Sequence, residues 1–70
     1  MSKIKMCYSV PDVEHMGDVN SEIYELTKLG AEDITTDIRW GEEEIEEAYI
    51  FFTCTDDKFE KFKEYGAYIR

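Results

Sequence analysis

The sequence predicts an α+β domain in which two helices pack on one face of a four-stranded antiparallel sheet, with the elements in the order β-α-β-β-α-β. Three observations carry that prediction. Apolar residues alternate over residues 3–10 and 32–40, the period of a strand with one covered face, and residues 48–55 form a run rich in aromatic and β-branched side chains with no Gly or Pro. Between and after these runs the apolar spacing becomes helical and stops at glycines, Gly30 and Gly66. Finally, 70 residues are too few for two independent cores, which leaves one domain over residues 1–70.

In chain order, K-I-K-M-C-Y-S-V (residues 3–10) sets Ile4, Met6, Tyr8 and Val10 on one side and Lys3, Lys5, Cys7 and Ser9 on the other. Pro11 ends this strand because it cannot donate to a ladder. Residues 12–29 place Met16, Val19, Ile23, Leu26 and Leu29 or Gly30 on one helical stripe. Asp12 or Asp18 is the candidate N-cap, and Gly17 favours a helix that becomes regular near Asp18. The second strand, residues 32–40, carries Ile34, Thr36, Ile38 and Trp40 on one side and Thr35, Asp37 and Arg39 on the other. It is more polar than the first and is expected nearer an edge.

Gly41 and the glutamates after it then turn the chain, with a hairpin tip in Gly41–Glu44. The third strand sets Ala48, Ile50, Phe52 and Cys54 toward the core and Glu47, Tyr49, Phe51 and Thr53 away from it. Thr55-Asp56-Asp57 is a helix start, with a capping hydroxyl followed by carboxylates that complement the dipole. The second helix is expected to reach Tyr65 with Phe59 and Phe62 buried, Tyr65 partly buried, and Lys58, Lys61 and Lys63 outside. Residues 67–70 suffice for a short edge strand.

This order is the ferredoxin-like one, two split β-α-β units, and right-handed crossovers put the first and third strands side by side in the centre. Cys7 and Cys54 then face opposite sides of the sheet and are expected to be free, mostly buried thiols. They also lack the C-x-x-C spacing of zinc or redox sites.

Charge narrows the function classes. Seventeen acidic residues against eight basic ones give a formal net charge of -9, which repels nucleic acid and anionic membrane surfaces and favours basic partners. No stretch approaches the ~20 apolar residues of a membrane span. The apolar run between M-S-K-I-K and Pro11 is too short for a signal peptide, so a cytoplasmic location is expected. The single histidine, His15, has no partner that spacing would fix, which leaves it a surface or capping residue and predicts a non-enzymatic protein without cofactors.

Several β-α-β-β-α-β families can be compared residue by residue. The loop V-P-D-V-E-H lacks the arginine and glycine-rich cradle of acylphosphatases, and Met6-Cys7 lacks the second cysteine of heavy-metal carriers. Tyr49 and Phe51 occupy the face on which RNA-recognition motifs stack bases, but the basic and glycine residues of that motif are missing and Glu47 shares the face. H-M-G-D-V, with Ile23, Leu26 and Leu29-Gly30 after it, resembles the D-x-P-G-x-L helix start and closing L-G of ACT-type regulatory domains, with Met16 where that family has proline. The resemblance implies a homodimeric module that binds an amino acid or related metabolite, with residues 12–18 at its pocket.

The stretch with the most to say about function is G-E-E-E-I-E-E. Glu42, Glu43, Glu44, Glu46 and Glu47 fill five of six positions. On a strand, alternate glutamates point to opposite faces and do not converge on a metal ion, and no calcium-hand loop is present. The leading expectation is therefore a protein-binding acidic surface. The hairpin, joined by Asp37, Glu32 and Asp33, would meet a basic partner as an inhibitor or nucleic-acid mimic of the kind phages and mobile elements encode. Tyr49, Phe51 and Trp40 would supply apolar anchors, because charge alone rarely makes hot spots. Tyr49 and Phe51 fit a homodimer through the open sheet face equally well, and the ACT-like regulatory module is the alternative reading.

Overall fold

Alternation in the first strand organises the sheet. In the computed structural model, which describes residues 2–70, β1 (Lys3–Ser9) lies antiparallel to β3 (Ile45–Thr55). Ile4 is opposite Cys54, Met6 opposite Phe52 and Tyr8 opposite Ile50. Residues paired across a ladder share a face, so these three pairs turn one side of the sheet into an apolar floor. The intervening pairs, Lys5–Thr53, Cys7–Phe51 and Ser9–Tyr49, form the other side. β2 (Glu32–Trp40) adds to β3 and β4 (Tyr68–Ile69) adds to β1, both antiparallel, giving the order β2-β3-β1-β4. β1 and β3 are thus central neighbours, as the crossover argument expects.

Both helices close over the floor. α1 (Met16–Leu29) contributes Val19 and Leu26, and α2 (Phe59–Tyr65), entered through a 3-10 turn at Asp56–Lys58, contributes Phe62. These join Met6, Ile50, Phe52 and Cys54 in one buried cluster. Phe52 and Phe62 meet as a tilted aromatic pair with centroids 4.8 Å apart, a geometry that adds about 0.5–1.5 kcal/mol to their burial. Tyr8 and Tyr65 form a second pair at 5.2 Å. Their hydroxyls both donate to the Glu22 carboxylate, at 2.8 Å from Tyr8 and 2.5 Å from Tyr65, so β1, α1 and α2 are tied at one polar point. Gly30 ends α1 in the left-handed region at φ 109, and its N–H donates to the Thr27 carbonyl at 3.0 Å.

Two irregularities adjust the faces. At Asp33, φ 51, the register slips by one residue, so that Glu32 pairs with Thr53 and Thr35 with Phe51. Near the hairpin the pairing passes from Arg39–Glu47 to Trp40–Ile45, leaving Glu46 unopposed. Strict alternation back from Ala48 would have turned Glu46 toward the core and Ile45 away from it. The bulge exchanges them: Ile45 is buried and Glu46 is exposed.

Four details differ from the sequence expectation, the first being that Phe59, expected to be buried with Phe62, is only half-buried against the core. Met16 opens α1 and is exposed, because the stripe closes on the core only from Val19. His15 takes the N-cap position rather than Asp12 or Asp18. Lys58 is half-buried, its aliphatic stem lying over Gly30 so closely that a Cβ there would come within 2.5 Å of Nζ. No helix among the described residues is long and apolar enough to cross a membrane.

Phe52→Ala should cost about 3–5 kcal/mol of unfolding free energy, and Ile50→Ala about 2–5; urea titration of the purified variants measures both. The tyrosine pair gives a pH signature. Burial, then the Glu22 hydrogen bond, pushes the Tyr65 hydroxyl up to about 12, and the same causes push Tyr8 higher still, from an ordinary value of 10.0. Protons bound more tightly in the folded state give stability that is complete below pH 10 and is lost as pH rises through the folded values. Thermal unfolding from pH 9 upward should therefore decline less steeply in Tyr65→Phe than in the parent.

Candidate functional site: an acidic cleft

The hairpin tip is built by one close approach. The Gly41 N–H donates to the Glu44 carbonyl at 2.7 Å, closing the bend of Glu42–Glu44. A Cβ at Gly41 would lie 3.0 Å from Glu46 Cγ and 3.1 Å from the Glu44 carbonyl oxygen, so a side chain there would press both neighbours back by a few tenths of an ångström. One residue on, the Ile45 N–H donates to the Glu14 carbonyl at 2.8 Å and fastens the hairpin to the loop ahead of α1.

That loop is itself pinned. The Asp18 carboxylate accepts hydrogen bonds from the backbone N–H of Glu14 at 2.9 Å and of His15 at 3.2 Å. These two bonds stabilise the charged form and hold its carboxyl below the ordinary value of 3.8. An N3 carboxylate reaching back in this way satisfies donors at the helix start that would otherwise be open.

The two loops enclose an open cleft of about 550 Å³. Its walls carry five carboxylates, Glu14, Glu42, Glu43, Glu44 and Glu46, with His15 at one side. Among the described residues no ion pair reaches any of the five; the cations that pair do so elsewhere, Lys3 with Glu32 and Asp33, Lys28 with Glu25, Arg39 with Glu47. Nor do any three His, Cys, Asp or Glu side chains among them stand where they could hold a metal ion. The cleft is therefore a concentration of unneutralised negative charge suited to mobile cationic side chains. The glutamates converge more than strand alternation would allow, because Glu42–Glu44 lie in the bend and Glu46 in the bulge.

The remaining candidate residues do not join this surface. Glu47 lies on the open sheet face, 3.8 Å from Arg39. Asp37 pairs with Tyr49 and Thr35 with Phe51 on that same face. Glu32 and Asp33 sit at the far end of β2 and pair with Lys3 at 3.2 and 3.7 Å, roughly 26 Å along the strand from Trp40. Trp40 pairs with the buried Ile45, which puts it on the helix side of the sheet, opposite to Tyr49 and Phe51. The expected set thus divides among the cleft, the open face and the β2 edge.

The open face is largely covered by its own residues. Tyr49 and Phe51 are half-buried, the Arg70 guanidinium stands 5.2 Å over the Phe51 ring, and the Cys7 thiol donates to the Tyr68 hydroxyl at 3.4 Å and is only 3% exposed. Cys54 lies in the core beside Met6, and burial, with Asp56 and Asp57 nearby, pushes its thiol up. Both cysteines are free, on opposite faces, and neither lines the cleft with His15.

Glu14 and His15 are the cleft residues that the acidic-hairpin expectation does not assign to the site, although the ACT-like alternative, with residues 12–18 at its pocket, includes both. The signal for them is topological: Ser9 at the end of β1 lies opposite Tyr49, so the loop leaving β1 must adjoin the hairpin that leads into β3. Comparison of the chain with protein-family models, with curated proteins and with solved structures finds no match.

Asp18→Ala should lower stability at neutral pH. A carboxyl whose folded value is depressed contributes stability that is present above its unfolded value and is lost on acidification. The gap in thermal midpoint between parent and variant should accordingly close as the pH falls below about 4.

Proposed function

We propose that this chain is a non-enzymatic acidic binding protein that acts by contact with a basic surface of another protein, and that the cleft between the hairpin and the start of α1 is the contact. One observation carries the reading: five carboxylates from two separate loops line one cleft with no lysine or arginine of the described chain paired to them. Charge left unneutralised in this way costs folding stability through self-repulsion and is useful when a partner supplies the cations. Lysine and arginine side chains built to hold phosphates accept carboxylates equally. The reading therefore extends to an inhibitor that occupies a nucleic-acid-binding groove, the role of acidic mimics encoded by phages and mobile elements.

The scaffold in this reading is a ferredoxin-like domain, supported by the β2-β3-β1-β4 order and by two helices that share one core with the sheet. The half-buried Tyr49 and Phe51 add apolar contact only for a partner that reaches round to the open face. The same acidic cleft weighs against the ACT-like alternative, since an amino acid's carboxylate would be repelled by all five glutamates that line it.

Replacing Glu42, Glu43, Glu44 and Glu46 together by glutamine should abolish capture of the partner from the native host while leaving the fold intact, as these side chains are exposed. Neutralising Glu47 alone, which lies outside the cleft and is already paired with Arg39, should leave capture unchanged. Affinity purification with mass spectrometry, run at low and raised salt, measures both. Capture that survives the fourfold change would remove the cleft from consideration.

A further inference from the structure

The chain supplies cations to its own surface aromatics. Lys28 Nζ stands 5.1 Å from the centre of the Tyr24 ring, Lys63 Nζ 5.9 Å from that of Phe59, and the Arg70 guanidinium 5.2 Å from that of Phe51. Tyr68, the other exposed tyrosine, accepts the Cys7 thiol. Trp40 is left out. Its indole is 61% exposed and lies outside the core cluster, and among the described residues no lysine or arginine stands over it, although indole is the ring that attracts a cation most strongly. Arg39, its neighbour in the chain, is turned to the open face with Glu47.

Trp40 also borders the acidic cleft. β2 ends at Trp40, and the next residue, Gly41, is part of the cleft wall. Across the ladder the tryptophan pairs with Ile45, which separates Glu44 from Glu46 and whose N–H holds the Glu14 carbonyl. The indole is thus on the helix side, from which α1 and the loop ahead of it approach the hairpin. Glu46 leans back toward Gly41, where its Oε1 would lie 3.2 Å from a Cβ. An indole without a cation and carboxylates without a cation therefore meet at one rim, and both lack the same kind of group.

We propose that this rim is an arginine site: the partner protein inserts a guanidinium that lies flat on the Trp40 indole and turns its edge to the cleft carboxylates, Glu46 first. The inference rests on the cleft being the contact and adds which basic side chain it selects. A guanidinium is planar and weakly hydrated, and while stacked on a ring it keeps its N–H donors free at the edge for carboxylates, so both attractions act together. A lysine ammonium is a compact, strongly hydrated charge that serves the carboxylates but gains less from the ring. Tryptophan and arginine are also the side chains that most often carry the binding energy of an interface.

Tetra-arginine and tetra-lysine peptides of equal charge, titrated into the purified chain at low salt and followed by NMR, test this. Tetra-arginine should bind roughly two- to fivefold more tightly, the margin a cation over an exposed ring gives. Its arginine δ-methylene protons should move upfield in the indole ring current, and the indole N–H resonance, single because Trp40 is the only tryptophan, should shift with them. Trp40→Ala should bring the two peptides level, and Trp40→Phe should keep part of the difference. Equal affinity for the two peptides, arginine protons that do not shift, or a preference that survives Trp40→Ala would each overturn the arginine site while leaving the cleft as the contact. If neither peptide binds, or if both still bind after Glu42, Glu43, Glu44 and Glu46 are replaced by glutamine, the cleft reading fails and the arginine site fails with it.

Discussion

The antiparallel pairing of β1 with β3 is the constraint on which the rest of the molecule depends. Its alternate pairs, Ile4–Cys54, Met6–Phe52 and Tyr8–Ile50, make the floor on which both helices rest. Its other pairs fix the residues that the open face presents. The same ladder decides which loops are neighbours, since the end of β1 runs antiparallel beside the beginning of β3. The acidic cleft is therefore a by-product of strand pairing: the Glu14 carbonyl and the Ile45 N–H meet because the strands behind them are already in register.

Local chemistry and topology play distinct parts at that cleft. Gly41 allows the bend, the bulge at Glu46 removes a charge that alternation would have buried, and Asp18 holds the opposite loop through two backbone N–H groups. Each device resolves a conflict between a run of glutamates and the strand they lead into. A stretch with five carboxylates in six residues could not enter a half-buried strand without one. Ile45 is the residue that forces the issue, because it is the only apolar group in the run and the core takes it.

The strands and helices were legible in the sequence because their apolar periods are clean: the faces of Ile4–Met6–Tyr8, Ile34–Ile38 and Ala48–Ile50–Phe52–Cys54 are those that alternation assigns. The central placement of β1 and β3 was legible from chirality alone. Less accessible were features in which periodicity breaks. Ile45 and Glu46 exchange faces through a bulge that no spacing rule signals, so that Ile45 joins Trp40 on the helix side, where alternation along β2 already places the tryptophan with Ile34 and Ile38. Glu14 and His15 reach the cleft through a contact across some thirty residues of chain, which composition does not encode. Glu32 and Asp33 look like part of the acidic hairpin in a charge count, yet they belong to the far end of β2 and to Lys3.

The position of Trp40 also decides how the molecule looks in a fluorimeter. It is the only indole in the chain and stands 61% exposed at the sheet edge, so its emission in the native state already resembles that of a side chain in water. Unfolding changes its surroundings little, and the loss of the core is seen instead by the tyrosines, above all Tyr8 and Tyr65, whose hydroxyls leave Glu22. A blue shift of the indole then signals something that global folding does not produce, the covering of the β2 edge. One chain thus contains two optical reporters, tyrosine for the interior and tryptophan for the border.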